Sequence, residues 1–275
     1  MPERTAPART RYRQAVGRFD DRVALVTGAG SESGIGFATA RLLASEGASV
    51  AVSSTTARIH DRAAELAPAD AEGFAADLTD AEQARAMVAA VNERFGRIDA
   101  LVNNAGMIQT GIEDEGGRFV DLEASAFERD LALNLMTAFH VTKAVLPGML
   151  ERRYGRIVMV SSVTGPLTTS PEGAGYASAK AAMDGLMRTI AIENARANVT
   201  CNSVQPGWIA TGSQLPSEVI AGEHTPAGRS GTPEEVAEAI VFLASEGASY
   251  VTGQALVVDG GNDIQEYKGP PDGWY

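Results

Sequence analysis

Between residues 22 and 259, short β-branched or alanine-rich runs alternate with longer segments whose apolar residues recur at helical spacing. That alternation is the pattern of repeated βα units, and a strand, helix, strand series implies a parallel sheet. Seven runs read as strands, at 23–26, 49–52, 73–76, 100–102, 156–160, 199–204 and 255–258. Helices are predicted over 35–45, 80–95, 127–150, 176–196 and 233–244. No Pro/Ser-rich linker or shift in composition divides the series, so one doubly wound α/β domain is expected over 21–261. Two stretches escape the pattern: a polar loop or short-helix region over 107–125, and an irregular tail from 262 to 275. Residues 1–20, with Arg4, Arg9, Arg11, Arg13 and Arg18, read as a basic arm.

A hydrophobic fraction of 44% and a mean hydropathy of -0.07 describe an ordinary globular chain. The net charge of -12 opposes nucleic acid and anionic membranes as partners, because both would repel this surface. A small anionic ligand must then be held by local donors. The single cysteine, Cys201, cannot form an internal disulfide, and no apolar stretch reaches the roughly 18 residues that span a bilayer. No signal-peptide stretch follows the basic arm, so the expected setting is cytoplasmic, although an Arg-rich, acid-poor start also belongs to organelle-import signals. His60, His140 and His224 show no metal-ligand spacing, and no metal is expected.

The segment "RVALVTGAGSESGIGFATARLLASEGASVAV" runs strand, glycine-rich turn, helix, strand. In that context Gly28 makes the tight turn, Gly34 lets the backbone approach a pyrophosphate, and Gly36 lets the helix pack on the sheet. The helix start adds free N–H groups and partial positive charge for phosphates. Selection of NAD(H) usually rests on a carboxylate at the end of the second strand. Here "GASVAVSSTTARIH" has no acid but offers Ser54, Thr55, Thr56 and Arg58, donors suited to a 2'-phosphate. NADP(H) is therefore expected in preference to NAD(H), with Glu32 in the glycine loop as the one opposing charge.

In "GYASAK", Tyr176 and Lys180 are four apart on a predicted helix and emerge as neighbours on one face. A phenol is a weak acid–base group at neutral pH, and an ammonium beside it favours the phenolate. Two charges about 6 Å apart at an effective dielectric of about 20 interact by about 3 kcal/mol, on the order of two pKa units. Upstream, "GRIVMVSSVTG" ends a strand with Ser161 and Ser162.

Together these motifs resemble the short-chain dehydrogenase/reductase family, over about residues 21–261, which implies a Rossmann-type fold. The usual loop of that family is T-G-x-x-x-G-x-G; here five residues, "AGSES", separate Gly28 from Gly34 instead of three. The longer loop leaves open which hydroxyl, Ser31 or Ser33, meets the cofactor. The resemblance implies a catalytic set of Asn134, Ser162, Tyr176 and Lys180. Ser162 would bind the substrate carbonyl, Asn134 would support a water relay to the lysine, and Lys180 would also hold the nicotinamide ribose. It further implies cofactor contacts from Gly28, Ser31, Gly34, Ile35 and Gly36, and from Ser54, Thr55 and Arg58. Asp77 and Leu78 of "ADLTD" would flank the adenine, Asn104, Ala105 and Gly106 of "LVNNAG" would line the cleft, and Pro206, Gly207, Ile209 and Thr211 of "NSVQPGWIATG" would surround the carboxamide.

The expected activity is hydride transfer between the nicotinamide and a carbonyl or secondary alcohol, a 3-oxoacyl thioester or another ketone. An enoyl-thioester reductase is the nearest alternative, but those enzymes place the tyrosine and lysine six residues apart rather than four. A non-catalytic NADP(H) sensor is the alternative outside enzymes, and it has no need of all four side chains. Residues 212–224 are expected as a lid over the substrate, with Trp208 as an apolar wall. The family resemblance implies a homotetramer or homodimer. Tyr267, Trp274 and Tyr275 in the tail are expected to pack across a subunit interface.

Overall fold

The computed structural model describes residues 17–106, 117–266, 268 and 269. The basic arm up to residue 16, most of the polar loop after β4 and the tail aromatics Tyr267, Trp274 and Tyr275 lie outside the described residues.

Seven parallel strands form one sheet: β1 (Val23–Thr27), β2 (Ser49–Ser54), β3 (Ala71–Ala75), β4 (Ala100–Asn103), β5 (Gly155–Val160), β6 (Val199–Pro206) and β7 (Ala255–Val258). Their spatial order is β3-β2-β1-β4-β5-β6-β7, so the winding reverses between β1 and β4. Ligands of doubly wound sheets bind at that switch point, beyond the carboxyl ends of the strands.

Alternation along each strand sends successive side chains to two separate cores. On one face Ala24, Val26, Val50, Val52, Val158 and Val204 pack beneath α1 (Ile35–Ser45), α2 (Ile59–Ala64) and α8 (Pro233–Ala244). On the other, Leu25, Leu101, Ile157, Met159 and Cys201 pack beneath α3 (Ala81–Phe95), α5 (Thr137–Arg152) and α6 (Ala174–Asn194). The central strands are buried on both sides, which explains why they read as continuous apolar runs.

The structure departs from the predicted elements in three places. The helix expected over 127–150 is broken into α4 (Ala124–Leu131), a π-helical turn (Ala132–Met136) and α5. Thr137 Oγ1 donates to the Leu133 carbonyl at 2.9 Å, and Asn134 Nδ2 donates to the Asp130 carbonyl at 3.2 Å, so side chains share the backbone bonding there. The expected lid carries a helix of its own, α7 (Pro216–Glu223), with proline at its start. The short α2 also went unpredicted; only Ile59 and Ala63 of its six residues are buried.

Candidate active site

β1 ends in the turn that builds the nucleotide end of the site. Gly28 has φ 69°, and a Cβ on it would lie 2.7 Å from the Ala105 Cα. At Gly36 a Cβ would lie 2.7 Å from the Gly28 carbonyl oxygen, so α1 can press this close to the turn only without a side chain. Gly34 caps α1 without a side-chain hydrogen bond, and the first turn has no acid. Asp80 of α3 and Thr232 of α8, by contrast, cap their helices with side-chain oxygens. The first N–H groups of α1 therefore remain available to an anion, a donor set that fits a dinucleotide pyrophosphate.

Thr27 and Asn104 lock this turn to β4. Thr27 Oγ1 accepts from the amides of Asn104 and Ala105, both at 3.0 Å, and donates to the Val102 carbonyl. The Asn104 side chain donates back to the carbonyls of Thr27 (3.1 Å) and Gly28 (3.0 Å). Asn104 thus turns its amide into the fold and leaves backbone to line the cleft. Thr27 was not singled out in the sequence, although its place before Gly28 at the strand end was a usable signal. Ser31 lies against Gly34, whereas a Cβ on Gly212 would come 2.5 Å from Ser33 Oγ, so Ser33 reaches the start of the segment that leads into α7.

At the adenosine end, Ser54 closes β2 against Gly30 and its hydroxyl donates to the Thr56 carbonyl at 3.2 Å. Thr55 and Arg58 are exposed. The Glu32 carboxylate stands 3.5 Å from Arg62 Nη1 of α2, and that guanidinium also pairs with Glu65 and lies 5.4 Å from the Phe37 ring. The charge that opposed a 2'-phosphate is therefore met by a cation that sequence reasoning missed, because only folding brings α2 beneath the loop. Asp77 turns its carboxylate to the amide (3.0 Å) and hydroxyl (2.7 Å) of Thr79. Leu78 buries its side chain in the core, and its carbonyl meets His140 Nδ1 at 3.1 Å, so its backbone is what can flank an adenine.

The four residues of the expected catalytic set come from three neighbouring elements. Tyr176 and Lys180 stand one turn apart on α6, with Lys180 Nζ 5.5 Å from the Tyr176 ring centroid and donating to the Val160 carbonyl at 2.9 Å. Ser162, just beyond β5, lies near enough to the Tyr176 phenol to act on it and accepts from the Thr164 amide at 3.0 Å. Asn134 is fully buried on the π-helical turn, beside Gly106 and packed against α6, and its Oδ1 has no hydrogen-bond partner. Desolvation holds the Tyr176 phenol above its ordinary value; the Ser162 hydrogen bond opposes this, and Glu218 on α7 adds to it. Burial pushes Lys180 down to about 8, against the pull of Asp184. The four-residue spacing predicts an ammonium that depresses the phenol; in the fold both groups are desolvated, and each is driven toward its neutral form.

Beyond β6, the Gly207 amide donates to the Val258 carbonyl at 3.0 Å, and Pro206 accepts from the Val163 amide at 3.1 Å. Ile209 is buried and bridged to Gly231, while Thr211 Oγ1 lies 3.1 Å from Ser213 Oγ. These bonds fix the segment against the ends of β5 and β7.

Over residues 28–263 the sequence matches the family described as enoyl-(acyl carrier protein) reductase. The 3-oxoacyl-[acyl-carrier-protein] reductase FabG of Thermotoga maritima is 39% identical over 251 residues, covering 89% of this chain and 98% of the relative. This chain is a short-chain dehydrogenase/reductase. The oxidoreductase UcpA of Salmonella typhimurium is 36% identical over 91% of this chain and 98% of its own length. A crystal structure of levodione reductase superposes with a TM-score of 0.83 at 34% identity, covering 90% of this chain and all of that one. As a short-chain dehydrogenase/reductase, the chain is an oxidoreductase that acts on CH–OH groups. Among the described residues, no helix is long and apolar enough to cross a membrane.

Proposed function

We propose that the chain is an NADP(H)-dependent ketone reductase in which Asn134, Ser162, Tyr176 and Lys180 form the catalytic set. The observation that carries this reading is the meeting of Tyr176 and Lys180 on one face of α6, with the Lys180 ammonium 5.5 Å from the Tyr176 ring and Ser162 acting on the phenol. Bound along the glycine turn, NADP(H) supplies the hydride. Tyr176, a neutral phenol at working pH, gives its proton to the carbonyl oxygen, and Ser162 donates a hydrogen bond to the same oxygen. Lys180 steadies the phenol and the nicotinamide ribose. The unpartnered Asn134 Oδ1 supplies the acceptor that a water relay to Lys180 requires.

Gly28, Ser31, Gly34, Ile35 and Gly36 are the residues for the pyrophosphate side. Ser54, Thr55 and Arg58 serve the 2'-phosphate; Asp77 and Leu78 serve the adenine; Asn104, Ala105 and Gly106 serve the cleft floor. Pro206, Gly207, Ile209 and Thr211 serve the carboxamide. The substrate proposed is a 3-oxoacyl thioester or another ketone of apolar character, since Leu215, Val219 and Ile220 stand exposed on and beside α7. The matched family's description favours an enoyl thioester as the second reading, which the four-residue Tyr176–Lys180 spacing opposes. A homotetramer or homodimer is proposed on the exposure of Ala255 and Leu256 along the edge strand β7. A screen of ketones, 3-oxoacyl thioesters and enoyl thioesters, followed by loss of NADPH absorbance, tests the reading. Oxidation of NADPH by the enoyl substrates alone would overturn it.

A further inference from the structure

One turn beyond Lys180 on α6, Asp184 lies buried at 2% exposure with a carboxylate that reaches β6 rather than solvent. Its Oδ2 accepts from Gln205 Nε2 at 2.5 Å, and its Oδ1 has no hydrogen-bond partner. Gln205, itself 3% exposed, immediately precedes the Pro206–Gly207 segment. Cys201, Ser203 and Gln205 alternate onto the α6 side of β6, so Gln205 is the last residue that can meet α6 before the strand ends. A carboxylate held this deep beside an apolar core of Met183, Met187 and Cys201 is costly unless a cation or donors compensate it.

The cation one turn away on α6 is Lys180. The spacing of four puts both side chains on the sheet-facing side of α6. We propose that Asp184 is a positioning residue that acts as the buried counter-charge of Lys180, and that Gln205 clamps this carboxylate and so ties the catalytic lysine to the Pro206–Gly207 segment. The inference rests on the reading of Lys180 as catalytic. Lys180 has little else to hold its charge. Its Nζ donates to the Val160 carbonyl, Ser161 Oγ donates to the Lys180 carbonyl, and the Tyr176 ring 5.5 Å away carries no charge. The other charged groups facing this region are Asp130 of α4, whose carboxylate lies against Gly175, and Glu218 of α7, which acts on Tyr176. Both sit at the amino-terminal end of α6, whereas Asp184 lies on the opposite side of the lysine. Burial lowers Lys180 to about 8 and Asp184 opposes that fall, in keeping with the geometry.

The chain has three lysines, Lys143, Lys180 and Lys268, so selective 13Cε-lysine labelling gives three resonances to follow by NMR across pH. The resonance missing from Lys180→Met identifies Lys180. In Asp184→Asn, which keeps an acceptor for Gln205 and removes the charge, the Lys180 midpoint is expected to fall by about one pH unit or more. The alkaline limb of kcat/KM for ketone reduction is expected to fall with it, and Asp184→Glu is expected to restore both. Gln205→Met, which frees the carboxylate, is expected to move the Lys180 midpoint the same way by a smaller amount and serves if Asp184→Asn does not fold. An unchanged Lys180 midpoint in whichever of these two variants folds overturns the proposal. If the midpoint falls while the protein turns over no ketone at any pH, the counter-charge stands and the catalytic reading of Lys180 fails.

Discussion

The side-chain amide of Asn104, at the end of β4, donates at 3.0 Å to the carbonyl of Gly28, in the turn after β1. That bond spans the switch point of the sheet and joins the two halves of the cleft. Asn104→Ala removes it together with the bond to Thr27, and leaves two carbonyls short of donors. The expected cost is about 1–3 kcal/mol. Scanning calorimetry is expected to show a fall in Tm of about 2–5 °C, with NADPH bound more weakly. An unchanged Tm and affinity would show that the brace is idle.

Tyr176→Phe preserves ring volume and removes the proton donor. NADPH binding is expected to stay within a few-fold of wild type while kcat falls by about 10² to 10⁴. Retention of most of kcat would remove Tyr176 from the reaction.

Arg58→Ala is expected to weaken NADPH by about 10- to 100-fold and to leave NADH nearly unchanged, because only the former presents a 2'-phosphate. Arg62→Leu acts at one remove: it leaves the Glu32 carboxylate without the cation 3.5 Å away and turns the loop against the same phosphate. Fluorescence titration of both cofactors checks the pair. Equal losses for NADPH and NADH in both variants, or a wild-type preference for NADH, would count against NADP(H) selection.

Lys180 carries a stability signature as well as a catalytic one. Its folded value of about 8 lies below the ordinary 10.5, so between these values the unfolded chain binds more protons and stability rises with pH. Below pH 8 the buried charge is a standing cost. Wild type is therefore expected to gain stability between pH 8 and 10.5, a gain that Lys180→Met lacks. Urea denaturation of both proteins at pH 7 and 10 checks this, and an equal change with pH in the two contradicts it.

The fold was legible because the buried strands are short apolar runs and the glycine turn has strand and helix flanks; the seven strand positions agree with the sheet to within two residues at each end. The π-helical turn was not, since a one-residue change in helical winding leaves the apolar spacing around Asn134 nearly intact. Tyr176 and Lys180 could be paired from spacing because they share one helix. Glu32 and Arg62 could not, because their approach depends on where α2 comes to rest on β2 and β3. The ionisation of Tyr176 went astray for a related reason: spacing gives the distance between two charges but not the desolvation of each.

The π-helical turn between α4 and α5 has a further consequence. It places one residue more in the helical path than an α-helix needs, and so rotates everything before it by about 100° relative to everything after it. α5 keeps its apolar stripe of Val141, Val145 and Met149 on the sheet, while α4, with Ala126 as its one buried residue, answers to α6 instead. The two helices are thus out of phase by design of the chain. A single deletion within residues 132–136 would restore one continuous helix, yet it would swing Asn134 away from its place beside Gly106. Sequence drift in α4 can reshape the neighbourhood of Tyr176 without disturbing the core, whereas chain length across this turn admits no such freedom.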